Sequence, residues 1–163
     1  LIGGWIADHL LGQKRSILLA VLILMISYTV LSIFQSAHGL LISLAGICVG
    51  TGLLKPNISS LLGNEYSQNS PGRESGFNLF YIGITTGIFF GSTIPNIIHQ
   101  YFGWSISFLS AAFGMLFAGL VFVYGIYRYK IADYHPYEHK PRKLVTTALL
   151  ILALYFGILA VFD

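Results

Sequence analysis

Lys55 is the residue whose type and position most strongly suggest chemistry, because it lies inside an apolar run that is otherwise free of charge. A cation at the centre of a membrane-spanning helix costs at least about 2.5 kcal/mol on insertion scales, and such residues usually face a cavity. Two structural explanations stay open. The side chain could reach the lipid headgroups, although Gly63 at the end of the run is about 12 Å away along a helix. Alternatively, the span could end at Lys55. We favour a cavity-facing Lys55 that attracts an anionic group of a solute.

The residues that follow Lys55 fit a binding cavity. Pro56 has no backbone N–H, so a helix through it would leave the carbonyl of Gly52 without its usual donor. Asn57, Ser59 and Ser60 could satisfy such a group or line a wet cavity. An interrupted helix beside an intramembrane cation is how many transporters form a solute site.

Other candidate chemistry is sparse. Asp163 closes the last apolar run and could titrate, or it could be the first polar residue beyond a membrane segment. His135–His139 matches the H-x-x-E-H pattern of some zinc peptidases, but it contains a proline and no third ligand is evident, so we expect a solvated linker. No phosphate loop or nucleophile elbow is present. We therefore expect no enzyme activity, no metal and no cofactor.

The composition identifies the solvent of this chain as lipid. The sequence is 55% hydrophobic and only 9% charged, whereas a soluble domain carries roughly 25% charged residues. A bilayer core of about 30 Å needs about 20 apolar helical residues. Five runs have that length, which predicts an all-α membrane protein: Ser16–Phe34, Gly39–Gly63, Gly76–Ile98, Trp104–Tyr127 and Leu144–Phe162.

The basic residues predict the orientation. Apart from Lys55, every Lys and Arg lies in alternate linkers, at residues 9–15, 64–75 and 128–143. The positive-inside rule places these linkers in the cytoplasm. The charges are not interleaved with aromatic residues on an exposed face, which argues against a nucleic-acid partner. The long polar linker 128–143 is the natural domain boundary.

Glycines at a spacing of four residues predict close helix packing. Gly83, Gly87 and Gly91 form one such ladder, and Gly46 and Gly50 repeat the pattern. Ordinary tight packing is the simpler interpretation. A surface on which helices slide during transport is the alternative.

Four stretches of the sequence together resemble the proton-dependent oligopeptide transporter family of the major facilitator superfamily. Residues 3–15, GGWIADHLLGQKR, are similar to the loop after its second helix, and residues 50–59 to its fourth helix. Residues 77–87 resemble the fifth-helix signature, and residues 160–163 the end of a seventh-helix motif. The residues that carry the structural or gating part of the resemblance are Gly4, Asp8, Gly12, Lys14, Arg15, Pro56, Gly83 and Gly87.

The resemblance implies a function and roles for individual residues. It implies proton-driven uptake of di- and tripeptides by alternating access, with protons as the coupling ion and no other cofactor. The matching lysine, Lys55, would lie near the peptide carboxylate, and Tyr81 and Thr85 would contact the substrate. Asp163 would take part in proton coupling. Thr85 stands where the family signature has Asn, and Leu159 where Trp is frequent.

The resemblance also implies a partial bundle. Residues 1–127 would hold the end of helix two and helices three to six of the N-terminal six-helix bundle. Residues 128–143 would form the cytoplasmic linker, and residues 144–163 the first helix of the C-terminal bundle. We expect a multi-pass protein of the plasma (cell inner) membrane, whose partners are small peptides, the lipid bilayer and the rest of the same transporter. A transporter of nitrate or another anion, or a non-functional truncated remnant, stays an alternative.

Overall fold

The computed structural model describes residues 12–66, 70, 72–131, 150, 151 and 153, and within these ranges the regular structure is helical. The three helices are α1 (Gln13–Ile33), α2 (Ala37–Glu65) and α3 (Gly72–Tyr129). Each is long and apolar enough to cross a membrane. The expectation of an all-α membrane protein is thus confirmed.

Helix α3 folds back on itself at Gly103. Its 58 residues are helical apart from Gly103, whose φ of 82° and ψ of 178° interrupt the helix. Beyond this point the Ser107 hydroxyl donates a hydrogen bond of 2.7 Å to the carbonyl of Pro95. Those residues would be about 18 Å apart in a straight helix. The helix therefore consists of two arms, residues 72–102 and 104–129, and each is long enough to span a bilayer.

Aromatic stacking holds the two arms together at this turn. The imidazole of His99, on the first arm, stacks on Trp104 with 3.7 Å between ring centroids. Trp104 in turn stacks on Phe108 at 5.6 Å. Offset aromatic contacts of this kind are worth roughly 0.5–1.5 kcal/mol beyond the area that they bury.

Helix α1 is the central support, because it packs against both α2 and the second arm of α3. At one end of the α1–α3 contact, Ser32 and Ser105 each donate a side-chain hydrogen bond to the carbonyl of the other. At the opposite end, the Lys14 ammonium donates to the carbonyl of Ile131. The two helices are therefore antiparallel and joined by polar contacts at both ends.

The α1–α2 contact depends on close approach at Gly50. A Cβ on Gly50 would lie 2.6 Å from Leu24 Cγ and 3.3 Å from the carbonyl oxygen of Ala20. Ala20 and Leu53 form the buried centre of this interface. The predicted role of Gly50 in helix packing is confirmed, because a side chain there would force the helices apart.

The first four predicted spans correspond to the observed helices, with two corrections. The first helix begins three residues earlier than predicted, at Gln13, and the second extends two residues past each predicted end, to Ala37 and Glu65. The expected linker at residues 99–103 is helical up to Gly103. The fifth span falls almost entirely outside the described residues, and the domain division and orientation stay predictions.

Candidate functional site

The side chain of Lys55 lies on an open face of α2. Cys48, Gly52, Lys55 and Ser59 are all exposed, and their spacing of four, three and four residues places them along one side of the helix. A Cβ on Gly52 would meet no other atom within 4 Å. The opposite side, which includes Leu53 and Asn57, is buried. Lys55 therefore points away from α1, onto a surface that the described helices leave uncovered.

Helix α2 continues through Lys55 without a break. It runs to Glu65, ten residues further, so the helix itself does not end at Lys55. The predicted interruption at Pro56 is also wrong, because Pro56 lies inside the helix. The Asn57 side-chain amide donates a 2.6 Å hydrogen bond to the carbonyl of Leu53. At 1% exposure, Asn57 lines the α1 contact and not the open face.

Tyr81 and Thr85 occupy an open face of the first arm of α3. Both are exposed, and the Thr85 hydroxyl donates a 3.0 Å hydrogen bond to the carbonyl of Tyr81. Helices α2 and α3 share few contacts. One of these joins Gly63 to Phe77, since a Cβ on Gly63 would lie 3.8 Å from Phe77 Cζ.

Lys55 and Thr85 are equally far along their helices from this contact. Lys55 precedes Gly63 by eight residues and Thr85 follows Phe77 by eight, which is about 12 Å on each helix. The predicted cation and the predicted substrate contacts thus lie on exposed parts of two helices. The structure shows no direct contact between them within the described part of the chain.

The described part of the loop motif, residues 12–15, forms the start of α1. Gly12 is its N-cap residue, with φ 83° and ψ 156°, a region that is essentially restricted to glycine. Lys14 reaches the C-terminal end of α3, where a cation is favoured by the helix dipole. Arg15 is exposed. Gly4 and Asp8 lie outside the described residues.

Gln13, which sequence reasoning missed, joins α1 to α2. Its side-chain amide donates a 2.8 Å hydrogen bond to Ser60 Oγ, and its carbonyl oxygen accepts one of 3.1 Å from Asn64. Only 3% of Gln13 is exposed. Ser60 lies one turn beyond Pro56, so this network fixes α2 next to the candidate site. The sequence signal that could have indicated this role of Gln13 was a side-chain amide at the first position of an apolar helix.

The predicted glycine ladder on α3 has no packing partner among the helices described. A Cβ on Gly83, Gly87 or Gly91 would meet no other atom within 4 Å. Its packing role therefore stays a prediction. Asp163 and the His135–His139 string lie outside the described residues. Within the described ranges, no three His, Cys, Asp or Glu side chains come together.

The arrangement can bind an anion but offers no catalytic group. An ammonium on an open, largely apolar surface attracts carboxylate, phosphate or sulfate more strongly than in water, because the local dielectric is lower. The hydroxyl groups of Tyr81 and Ser59 can add neutral hydrogen bonds. Nothing at this level of the described helices resembles a nucleophile paired with a base.

Comparison with known proteins decides which family these features represent. The sequence profile of the POT family matches residues 14–155. The chain belongs to the POT family. It is 33% identical over 163 residues to a di-/tripeptide transporter of Lactococcus lactis, with 96% of this chain and 33% of that protein covered. It is 32% identical to dipeptide and tripeptide permease A of Escherichia coli, with 94% and 31% covered.

Solved structures of POT transporters show the same fold. A crystal structure of a peptide transporter POT in complex with sulfate has a TM-score of 0.80 and 32% identity, and covers 99% of this chain. A POT family transporter in complex with a thioalcohol conjugated peptide has a TM-score of 0.72 and 30% identity, with 98% of this chain covered. The fold is therefore a partial major facilitator bundle. The chain spans about a third of the length of these POT relatives.

Proposed function

We propose that the transporter containing this chain takes up di- and tripeptides together with protons by alternating access. The observation that carries the proposal is the exposed Lys55, within a region that aligns with transporters named for di- and tripeptides. A zwitterionic peptide ends in a carboxylate. Lys55 would bind that carboxylate by a charge-assisted hydrogen bond.

Related structures are compatible with an anionic group on the solute. One related structure holds sulfate and another holds a conjugated peptide. Sulfate and a peptide carboxylate are both anionic, and Lys55 is the one Lys or Arg of this sequence that lies within a predicted span. Tyr81 and Thr85 would contact the remainder of the peptide. Thr85 is shorter than the Asn of the family signature. This difference would change which peptide side chains the transporter prefers, but the peptide would still need its carboxylate to bind Lys55.

Proton coupling would come from Asp163, which would release its proton in the opposite conformation from the one that binds it. Protons would be the coupling ion, with no further cofactor. We also propose the plasma (cell inner) membrane as the location and the cytoplasm for residues 128–143, because the Lys and Arg residues outside the spans share one side.

Transport into liposomes tests this proposal. The full transporter, purified and reconstituted, should accumulate labelled dialanine when an inward proton gradient is imposed, and a protonophore should abolish the accumulation. Nitrate should not be accumulated under the same gradient. Nitrate uptake without dialanine uptake would contradict the proposal and favour an anion transporter of the same fold.

A further inference from the structure

The start of α1 and the end of α3, on the predicted cytoplasmic side, bring together basic residues that are far apart in the sequence. Lys14 and Arg15 begin α1, and the hydrogen bond from Lys14 to Ile131 joins them to the end of α3. Arg128 and Lys130 belong to that same end, and both are exposed, as is Arg15. We call these four cations the basic corner.

Charge on this side of the molecule is unevenly distributed. The acidic residues that the structure describes, Glu65 and Glu74, both lie at the turn between α2 and α3, with Arg73 beside them. Asp8 and Asp133 are the nearest acidic residues along the chain, and the four cations outnumber them. The corner is therefore a local positive site and not merely part of an evenly basic surface.

An exposed apolar stripe leads along α3 to the basic corner. Phe117, Val121, Tyr124 and Arg128 follow a spacing of four, three and four residues, which places them on one side of the helix. The first three are 70%, 54% and 66% exposed. The stripe is about 16 Å long, which is the reach of an acyl chain through one leaflet of a bilayer core of about 30 Å.

Helix α1 repeats this arrangement, and tyrosines mark the level of the headgroups. Arg15, Leu22 and Ile26 share one side of α1, and the two apolar residues are exposed. Tyr127 and Tyr129 are also exposed, and tyrosine is enriched where a membrane meets water. Cations at the polar end of an apolar stripe match a molecule with an anionic head and apolar tails.

We propose that the basic corner binds the headgroup of an anionic phospholipid of the cytoplasmic leaflet, with an acyl chain along Phe117, Val121 and Tyr124. Basic pockets between helices on this side of a membrane attract such headgroups. The stripe favours a phospholipid over a free anion, which would gain nothing from apolar surface. The proposal is independent of what the transporter carries.

Native mass spectrometry of the full transporter tests this site with a matched pair of arginines. The probe is phosphatidylglycerol, compared with phosphatidylcholine of the same acyl chains. Arg128 and Arg73 both lie on the predicted cytoplasmic side, and each guanidinium carbon is 5.9 Å from the centroid of an aromatic ring. Arg128→Gln should weaken phosphatidylglycerol binding roughly fivefold, and adding Lys130→Gln should weaken it roughly thirtyfold. Arg73→Gln should have no effect, and Arg128→Lys should retain binding.

Three results would overturn the proposal. Equal losses for Arg128→Gln and Arg73→Gln would mean that general surface charge attracts the lipid. Equal binding of phosphatidylcholine would mean that the anionic head is not recognised. Unchanged binding by the double variant, with an unchanged melting temperature, would mean that the basic corner is not the site.

Discussion

Replacing Lys55 by alanine in the full transporter is expected to lower dipeptide uptake at least tenfold, while the protein still reaches the membrane. Lys55 lies on the open face of α2, so its removal disturbs no packing between described helices. Alanine favours helix, and the α1 contact on the opposite side is untouched. A tenfold loss corresponds to about 1.4 kcal/mol, which a charge-assisted hydrogen bond can supply. Initial rates of labelled dialanine uptake, normalised to protein in the membrane, measure the effect.

Two further variants separate a binding role from a lysine that merely reaches the headgroups. Lys55→Arg should also be defective, because a planar guanidinium does not replace an ammonium in a shaped site. Cys48→Ala, two turns away on the same face, should retain uptake. Near-normal, proton-dependent uptake by both Lys55 variants would show that Lys55 is no substrate anchor.

Replacing Gly103 by valine is expected to prevent stable folding of the α3 hairpin. Gly103 has a φ of 82° and a ψ of 178°, in a region that is essentially restricted to glycine. A β-branched residue there is a severe outlier, so we expect a loss of about 3 kcal/mol or more. The second arm would then lose its position against α1, including the paired hydrogen bonds between Ser32 and Ser105. Size-exclusion chromatography of the fluorescently tagged transporter should show aggregate in place of the monodisperse peak.

Gly91→Val is the matched control for this prediction. Gly91 lies on the first arm of the same helix, and a Cβ there meets no other atom within 4 Å. Gly91→Val carries only the small penalty of a β-branched residue in a helix. Equal monodispersity and equal melting temperatures for the two variants would show that the turn does not require glycine at position 103.

Much of the fold was predictable, because the length of an apolar run and the positions of charged residues indicate which segments cross a bilayer. The runs around α1 and α2, and the two arms of α3, were evident from these features alone. The sharpness of the turn at Gly103 was not, because a stretch containing His99, Gln100 and Gly103 is polar enough to suggest a longer linker. The contact between Lys14 and Ile131 joins residues 117 positions apart, and no local pattern indicates it.

The candidate site was predicted in part. The cavity-facing role of Lys55 stays a prediction, and the structure gives this residue an exposed position. Asn57 is buried at 1% exposure, because residues two positions apart differ by about 200° around the helix axis. Periodicity alone did not show which side α1 would cover. Gly50 and Gly83 have the same local pattern, yet only Gly50 has a neighbour among the described helices. Whether another helix packs against a row of small residues depends on the tertiary structure and not on the spacing of those residues.

Protection of Cys48 from chemical modification is the most direct test of the claim that the open face of α2 binds the solute. Cys48 is exposed and is the one cysteine in this sequence. It lies about 10 Å from Lys55 along the same side of the helix. The experiment uses the full transporter with any other cysteines replaced, and follows the rate of maleimide labelling with and without dialanine. Ser70→Cys, introduced in a Cys48→Ser background, reports on the turn between α2 and α3.

We expect saturating dialanine to slow the labelling of Cys48 several-fold, because the bound peptide covers this face. Labelling at position 70 should not change, and Lys55→Ala should abolish the protection of Cys48. Labelling of Cys48 that stays equally fast while dialanine is bound would contradict the account, because the peptide would then bind elsewhere.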